Sequence, residues 1–406
     1  MASAVHLDHG RSSLTELRTL TVRDLATLEL HRAAWEQLAR DAPQRLPTLL
    51  PSWIDAVLRY RLKEMEHWLC CFAYEGDRLV GVLPVIVTPH WLMGSSWPTL
   101  RTPFDAHTPS GDVVLAPDHA GPAFRALLAE IRHQLPHHLA LDLKAIRKSS
   151  PVWTVLQDEL DGYVRRWGPR HMYSFLDVQG DYESYFAGLG KMRRNLRLGR
   201  KKLESRGAVS VELRKGAAAS EDFLSEFLAL EASGWKGRNG TAILNDPKDV
   251  AFYTTLVRNF AAQGGLEWHI MRVREHVVAA QMGVRCGASL MLPKFAFNEE
   301  FAECTPGHLL MEEVIREAHH RHELIEINPM SDAPQHRLFR MPRDEYVDVH
   351  LVRRSILPML FQLPPITVQS AYHTHIQPHI PAIVKEAHRK LKRRRERKPR
   401  RAAAVK

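Results

Sequence analysis

Residues 231–241 read Glu-Ala-Ser-Gly-Trp-Lys-Gly-Arg-Asn-Gly-Thr, a stretch in which a helix breaks into a glycine-rich loop. Apolar residues recur at helical spacing upstream of it, which predicts a buried stripe on an amphipathic helix. Glu231 lies four residues after Phe227 and therefore falls on that apolar side. The glycines permit positive φ angles and end the helix. The stretch predicts either a functional site or a capped helix end in which Glu231 pairs with Lys236 or Arg238.

A second unusual stretch lies upstream, at residues 191–206. It carries eight bases and one acid on a predicted helix, with Met192, Leu196 and Leu203 on one side. A solvated basic face is one interpretation of this pattern. The other is an anion site for the phosphates of a donor or an acceptor.

Composition describes an ordinary globular protein with a basic tail. The chain has 406 residues, of which 45% are hydrophobic and 25% charged, so it is long enough for two or three domains. Residues 385–406 contain 12 Lys or Arg and two Glu, whereas the preceding 384 residues carry 44 bases and 44 acids. The net charge of +10 therefore belongs to the tail. An anionic membrane surface, RNA or a merely solubilising role would each fit it.

The remaining global features predict a cytoplasmic protein, for which a peripheral position at the inner membrane face stays open. The four cysteines, Cys70, Cys71, Cys286 and Cys304, have no zinc-site spacing and are expected to be reduced thiols. The N-terminus lacks a signal-peptide pattern. No apolar run approaches the ~20 residues that a membrane-spanning helix needs.

Hydrophobic periodicity predicts the same order of elements twice along the chain. The first series comprises helices at 24–41 and 52–62, a β-hairpin at 68–87, a Pro/Ser/Thr-rich loop at 94–120, a helix at 121–135 and a strand at 139–146. The second comprises a strand at 209–213, helices at 219–234 and 247–263, a hairpin at 268–284, a strand at 289–297, a helix at 307–322 and a strand at 324–330. We therefore expect two α/β domains of similar construction, at 1–180 and 181–355, followed by a proline-containing linker and tail at 356–406.

Three phrases of the second half resemble a known family. The run Leu228-Ala-Leu-Glu-Ala-Ser-Gly-Trp-Lys-Gly-Arg-Asn-Gly-Thr241 looks like a motif of the FemAB-like, CelD-type GNAT acyltransferases. The phrases Val278-Ala-Ala-Gln-Met-Gly283 and Lys294-Phe-Ala-Phe-Asn-Glu299, followed by Pro306-Gly-His-Leu-Leu310, are similar to later motifs of that family. The resemblance covers roughly residues 185–345, and residues 50–150 resemble a degenerate N-terminal GNAT half. It implies an α/β (α+β) fold of tandem GNAT-like domains, each a mixed, mostly antiparallel sheet flanked by helices.

The resemblance implies an N-acyltransferase that moves an acyl group, acetyl in the simplest case, from acyl-CoA to an amine. The acceptor would be a small molecule or glycan, such as an amino sugar or a precursor of the cell envelope or of a polysaccharide. In GNAT folds a strand-to-helix turn cradles the CoA pyrophosphate, and a helix N-terminus suits that anion. Here the expected N-cap is Thr305, Pro306 fits the first helical position and Gly307 allows a close approach. The implied donor-binding residues are Thr305, Pro306, Gly307, His308, Leu309, Lys294 and Phe295.

Amine acylation needs a base, oxyanion donors and an acid for the leaving thiolate. The candidate catalytic residues are Glu231 as base, Lys236 and His308, with backbone N–H groups of 294–297 polarising the thioester carbonyl. The candidate acceptor-binding residues are Trp235, Arg238, Asn298 and Arg194.

Other functions remain open at this level. Aminoacyl transfer from aminoacyl-tRNA, as in FemAB ligases, would suit the basic helix and tail. A catalytically inactive GNAT scaffold for envelope polysaccharide synthesis would suit Asn298, where the family has Asp, and the loss of the family's later Tyr-Lys pair. The histidine groups at 319–322 and 373–379 lack an established metal spacing, so no metal is expected. Ser331, Asp332 and His336 lack the glycines of a nucleophile elbow.

Overall fold

The fold is built on two mixed sheets. The structure is a computed structural model that describes residues 17–376 and 379–380, so the basic tail at 385–406 lies outside the described residues. The first sheet comprises β1 (Arg18–Val22), β2 (His67–Glu75), β3 (Arg78–His90), β4 (Gly94–Arg101), β5 (Val114–Leu115), β6 (Ala140–Arg147), β7 (Tyr163–Ser174) and β14 (Arg343–Arg353). The second comprises β8 (Leu176–Asp177), β9 (Val209–Lys215), β10 (Leu266–Val273), β11 (His276–Cys286), β12 (Ser289–Phe297) and β13 (Glu326–Asn328).

Helices cover the faces of both sheets. They are α1 (Leu25–Leu30), α2 (Arg32–Asp41), α3 (Pro51–Tyr60), α4 (Ala120–Gln134), α5 (Pro151–Val155), α6 (Tyr182–Gly188), α7 (Lys191–Glu204), α8 (Leu224–Ser233), α9 (Trp235–Arg238), α10 (Pro247–Ala262), α11 (Pro306–His319), α12 (Pro334–Leu338), α13 (Ile356–Phe361) and α14 (Leu363–Ala371). A π-helical turn at Tyr372–Ile376 follows α14. Across residues 17–376 and 379–380, none of the helices has the length and apolar character needed to cross a membrane.

The predicted repeat is present in the strand pairing. In the first sheet the antiparallel hairpin β2–β3 is followed by β4, by α4 and by β6, which pairs with β4 in parallel. In the second sheet the hairpin β10–β11 is followed by β12, by α11 and by β13, which pairs with β12 in parallel. Each sheet is therefore mostly antiparallel with one parallel pair, as predicted.

One element was predicted wrongly, because 94–120 is not a continuous loop. Its first eight residues form β4, which pairs with β3 through contacts such as Ile86 with Arg101. The Ser/Pro composition of Gly94–Arg101 concealed the strand, since tertiary pairing overrides weak β-propensity. The Pro98 carbonyl even contributes to the sheet region by accepting a hydrogen bond of 2.9 Å from the Leu139 N–H.

The two sheets exchange strands. β14 lies in the first sheet between β6 and β7, although it follows the second sheet in sequence. β8 follows β7 directly but pairs with β13 of the second sheet. Each of the two proposed domains thus ends in a strand that completes the sheet of the other domain, β8 just before residue 180 and β14 just before residue 355.

An apolar core joins the halves. Trp53 of α3 packs edge-to-face against Phe252 and Phe260 of α10, with ring centroids 6.4 and 6.2 Å apart. All three side chains are buried, and full burial of one such side chain contributes about 1.5–3 kcal/mol. The Trp53 indole N–H also donates to Thr108 Oγ1 at 3.1 Å. This packing holds the 102–111 segment of the first half against the second half.

Candidate active site

The parallel strands of the second sheet separate and leave a cleft. β12 and β13 are paired only up to Met291 and Asn328. Beside that point β12 carries one residue more than β11, a bulge of the kind that often lies next to active sites. The resulting cavity has a volume of about 710 Å³. It is bounded by the α8–α9 break, by β12 beyond Met291, by the start of α11, by residues 329–331 and by the 106–109 region of the first half.

The cleft collects most of the residues predicted for the site, and a few lie elsewhere. The predicted residues that line it are Glu231, Trp235, Lys236, Lys294, Phe295, Thr305, Pro306, Gly307 and His308. Leu309 is fully buried in the core beneath α11, and Arg194 is exposed on α7. Arg238 and Asn298 are also absent from the lining.

The start of α11 forms one wall, with two differences from the prediction. Thr305 occupies the N-cap position, but its side chain makes no capping hydrogen bond and its φ is 51°, in the left-handed region. Pro306 occupies the first helical position, as expected. Gly307 is required by Phe295, because a Cβ at Gly307 would lie 2.4 Å from Cζ of that ring. The close approach inferred for a pyrophosphate is therefore made by an aromatic ring of the protein itself.

The basic helix α7 crosses directly behind this wall. Its buried residues include the predicted Met192, Leu196 and Leu203. A Cβ at Gly199 would lie 2.8 Å from both the Cys304 carbonyl oxygen and Thr305 Oγ1, so only glycine permits this crossing. The middle of α7 therefore lies against the turn that begins α11.

On the opposite wall the buried Glu231 forms an ion pair with the partly buried Lys236. Lys236 Nζ donates to Glu231 Oε1 at 2.6 Å, and the Ile243 N–H donates to Oε2 at 2.9 Å. Lys236 Nζ also lies 3.5 Å from the Phe295 carbonyl oxygen. Both carboxylate oxygens of Glu231 are thus engaged, an arrangement that fixes the loop after α8 against the segment around Ile243.

Glu299 holds the short helix α9 in place. Its carboxylate accepts a hydrogen bond of 2.7 Å from the Trp235 N–H and one of 2.5 Å from Arg238 Nη2. The Trp235 indole remains 52% exposed and lies along the cleft. Asn298 caps the following turn, since its side chain accepts from the Glu300 N–H at 2.9 Å. Arg238 and Asn298 therefore have structural contacts that the sequence did not indicate.

The surroundings of Lys294 change the pKa of its amine strongly. Burial, together with the nearby positive charge of Lys236, lowers the pKa of Lys294 to about 8. Its Nζ lies 5.1 Å from the centroid of the Tyr253 ring, and it forms no ion pair with any carboxylate in the described part of the chain. A lysine that lines a cleft with this pKa is partly neutral near physiological pH and can accept a proton.

The first half completes the wall behind Lys294. His107 Nδ1 and the Tyr253 hydroxyl are 2.8 Å apart, which links the 102–111 segment to α10. Burial and then the charge of Lys294 lower the pKa of His107. Arg61 anchors the segment through Asp105, at 2.6 Å, and through Asp249. No motif in the sequence connects these distant residues, so His107 and Tyr253 were not predicted.

Histidines near the cleft do not form the other sites considered. The Asp332 carboxylate accepts from Arg343 Nη2 at 2.8 Å, and His336 Nδ1 lies 3.1 Å from the Ser331 carbonyl oxygen, so no triad is formed. Burial lowers the pKa of both His308 and His336. In residues 17–376 and 379–380, no group of His, Cys, Asp or Glu has the arrangement needed for a metal ion.

A comparison with known protein families matches part of the second half. Residues 190–328 match the acetyltransferase (GNAT) domain, and that range contains Glu231, Lys294 and the whole of α11. No curated protein sequence matches the chain.

Solved structures that are similar to the chain cover most of its length. The chain is similar to FemX, with 11% sequence identity and a TM-score of 0.57 over 85% of this chain and 99% of that chain. It is also similar to a tandem GNAT protein from the clavulanic acid biosynthesis pathway, with 14% identity and a TM-score of 0.43 over 82% and 98% of the two chains. A third is the C-terminal domain of a putative lysylphosphatidylglycerol synthetase from Agrobacterium fabrum, with 8% identity and a TM-score of 0.49 over 85% and 96%. At such identities the likeness to FemX shows the fold alone.

The predicted fold class is confirmed, whereas the finer CelD-like type stays a prediction. The chain has a mixed α/β fold of two sheets flanked by helices, and residues 190–328 of its second half match the acetyltransferase (GNAT) domain.

Proposed function

We propose that this protein transfers an acyl group from acyl-CoA to an amine within the cleft of the second half. The observation that supports this most is the shape of one cavity, in which the N-terminus of α11 and the amine of Lys294 line the same space. A helix N-terminus suits the phosphates of a donor, and a partly neutral lysine suits removal of a proton from an acceptor amine.

The residues present fit a CoA thioester. α11 is 14 residues long, and its first turn faces the cavity through Thr305, Pro306 and Gly307. The helix α7 crosses behind this turn at Gly199, and its exposed bases add positive charge to this part of the molecule. Beyond Met291 the strand β12 has left its pairing with β13, so its open edge can bond to the amide groups of the pantetheine arm.

The proposed chemistry is direct attack in a ternary complex. The acceptor nitrogen bonds to the thioester carbonyl carbon, its proton passes to the neutral Nζ of Lys294, and the C–S bond breaks to release a thiolate. The thiolate then takes up the proton that Lys294 has accepted, which returns Nζ to its neutral form, and His308 lines the donor end of the same cleft. The backbone N–H groups of residues 294–297 are the proposed donors to the oxyanion.

Glu231 is the second candidate for the base. To accept a substrate proton it would have to release Lys236 or the Ile243 N–H, because each of its oxygens already holds one of them. We therefore propose that Glu231 and Lys236 shape the acceptor side and that Lys294 takes the proton. Trp235 provides an exposed aromatic face for the acceptor, which suits the ring of an amino sugar or of a polysaccharide precursor.

Calorimetry and thiol release test the donor. We expect heat of binding with CoA and acetyl-CoA, and release of free CoA thiol when acetyl-CoA is mixed with amino sugars and other amines. Absence of both, together with retention of aminoacyl-tRNA on a filter, would favour the FemAB-type reaction. Absence of any donor binding, with the recovery of a protein partner, would favour an inactive scaffold.

One observation keeps the tRNA alternative in view. Lys191, Arg194 and Arg197 of α7 are exposed and form no ion pair with a described carboxylate, so the helix that crosses behind the proposed donor turn presents free positive charge. A polyanion such as tRNA would bind there as readily as the phosphates of CoA. Replacing these three bases by glutamine should weaken tRNA retention far more than acetyl-CoA binding if the donor is aminoacyl-tRNA.

A further inference from the structure

The last described helices form a charge-free surface. Residues 355–384 contain no Asp, Glu, Lys or Arg. α13, α14 and the turn that follows nevertheless lie on the outside of the molecule. Their exposed large apolar side chains are Ile356, Met359, Leu360, Phe361, Val368, Tyr372 and Ile376. Surface helices of soluble proteins normally carry charges on their outer face, so this surface, which we call the C-terminal apolar face, needs a partner.

The helices are held by one side only. α14 packs against the edge strand β7, where Arg166 Nε donates to Thr367 Oγ1 at 3.2 Å. Ile356 and Leu360 are four residues apart and share a helical side, with exposures of 77% and 63%. Val368 and Tyr372 repeat this spacing, and Val368 is 71% exposed. The helices thus present their apolar residues away from the sheet.

A second exposed apolar element lies at the same end of the first sheet. The turn between β3 and β4 carries Trp91, which is 87% exposed, and Leu92, which is 62% exposed. β4 begins at this turn and runs parallel to β6, whereas β14 runs antiparallel to β6 and ends beside its start. The turn and the beginning of α13 therefore project from one end of the sheet.

Bases lie at this end and also follow it in the sequence. The residues that follow, 385–406, carry 12 bases and two acids. Arg165 and Arg166 lie on β7 beneath α14, and Arg353 and Arg354 directly precede α13. We propose that the C-terminal apolar face and the β3–β4 turn dock on an anionic lipid surface, with the apolar side chains entering the interface and the bases binding the headgroups.

Apolar and basic contacts occur together on this surface, and this combination favours a lipid membrane over RNA as its partner. Stable attachment to a membrane without a spanning helix generally needs two weak signals, such as an apolar insertion and a polybasic segment. RNA would use the bases but gains nothing from exposed Ile, Leu and Val, since it binds through phosphates and aromatic stacking. A tryptophan at a turn tip is also typical of residues that sit at a membrane interface.

Vesicle flotation with the full chain tests the proposal. The probes are vesicles of pure phosphatidylcholine and vesicles that also contain about 30% phosphatidylglycerol, a fraction that gives an anionic surface. We expect the wild type to bind only the anionic vesicles. Ile356→Ser combined with Leu360→Ser should reduce the bound fraction at least about tenfold, because two apolar insertions are lost. Replacing Arg393, Arg394 and Arg395 by glutamine should also reduce it and should lessen its dependence on salt.

Matched controls make the result specific. Val211→Ser combined with Leu244→Ser removes two exposed apolar residues of the second half, with exposures of 43% and 47%, and should leave vesicle binding unchanged. Binding of the Ile356/Leu360 variant at the wild-type level would overturn the proposal, since charge alone would then account for attachment. Two other results would also overturn it. One is that the wild type binds RNA but not vesicles and the Ile356/Leu360 variant binds RNA more weakly. The other is that the wild type is a dimer and the variant is a monomer.

Discussion

In each sheet the two parallel strands separate and leave a gap, which is open in the second half of the molecule and filled in the first half. In the second sheet β12 and β13 separate and leave the cleft, with its cavity of about 710 Å³. In the first sheet β4 and β6 separate after Arg101 and Asp142, and residues 102–111 fill the space. The Thr102 N–H donates to the Asp142 carbonyl oxygen and the Gly111 N–H to that of Lys144, both at 2.9 Å. One topology therefore gives an open site and a closed one.

A lysine in each half shows what the difference means electrostatically. Lys144 of β6 lies 3.1 Å from Asp348 and 3.5 Å from Asp142. Burial opposes its charge, but these two carboxylates raise the pKa of Lys144 overall. Lys294 is also partly buried but has no such partner, and its pKa falls to about 8. The closed half fixes its lysine as a structural cation, whereas the open half leaves one able to lose its proton.

The largest expected effect comes from replacing each of these two lysines by methionine. Lys294→Met should lower turnover by about 100-fold or more, since general base catalysis contributes that much, with little change in acetyl-CoA affinity. Lys144→Met is the matched control and should leave turnover unchanged while costing about 1–3 kcal/mol of stability, because two buried carboxylates lose a partner. Steady-state kinetics measure the turnover of both variants, and thermal unfolding measures their stability. Equal turnover losses would remove the contrast between the halves.

The pH dependence should report Lys294 directly. Below about pH 8 its amine is protonated and cannot accept a proton, so turnover should rise about tenfold from pH 7 to pH 9 and then level off. The profile should become flat in Lys294→Met. A rate that instead declines above pH 8 would mean that the charged amine acts, as a binding group for phosphate or oxyanion.

Glu231→Gln should have a smaller effect on turnover than Lys294→Met. Glutamine can still accept from the Ile243 N–H but loses the ion pair with Lys236, so we expect a loss of about 1–3 kcal/mol in stability and no more than about tenfold in turnover. Donor affinity should stay nearly intact. If Glu231→Gln lowers turnover more than Lys294→Met does, Glu231 is the base.

Two glycines sharpen the comparison at the level of packing. A Cβ at Gly111 would lie 2.4 Å from the Pro103 carbonyl oxygen, a backbone atom, so Gly111→Ala should destabilise the closed half by about 1–3 kcal/mol. A Cβ at Gly307 would meet the Phe295 ring, which borders the open cleft and can move. Gly307→Ala should therefore weaken CoA binding more than folding. Calorimetric titration and thermal unfolding of both variants separate the outcomes.

The smallest effect is expected at the contact between the halves. Tyr253→Phe removes the hydroxyl that lies 2.8 Å from His107 Nδ1, which should cost about 1 kcal/mol. Because His107 borders the cleft, the variant should also raise the KM for the acceptor slightly. An unchanged melting temperature would show that the other contacts of the 102–111 segment, such as those of Arg61 and Trp53, suffice to anchor it.

The sequence predicted the elements of the fold better than their assembly. The repeated order of hairpin, strand and helix was visible because periodicity is local, and Ser289–Phe297 agrees with β12 residue for residue. The exchange of β8 and β14 was not visible, since strand pairing across distant segments leaves no local pattern. In the site, Glu231, Lys236 and Lys294 were found through motifs. The reasons for Gly307 and Gly199, and the involvement of His107 and Tyr253, arise from contacts between distant segments.

The position of β14 also sets an order in which the molecule can be made. β7 has β14 as its partner in the first sheet, and every strand of the second sheet lies between them in the chain. A chain leaving the ribosome can therefore pair the strands of its second sheet while β6 and β7 still wait for their shared neighbour, and such distant pairings form slowly. The 102–111 segment, which belongs to that late sheet, borders the cleft. The first sheet is therefore the first to be started and the last to be completed. We expect a newly synthesised chain to become active only after β14 has joined that sheet.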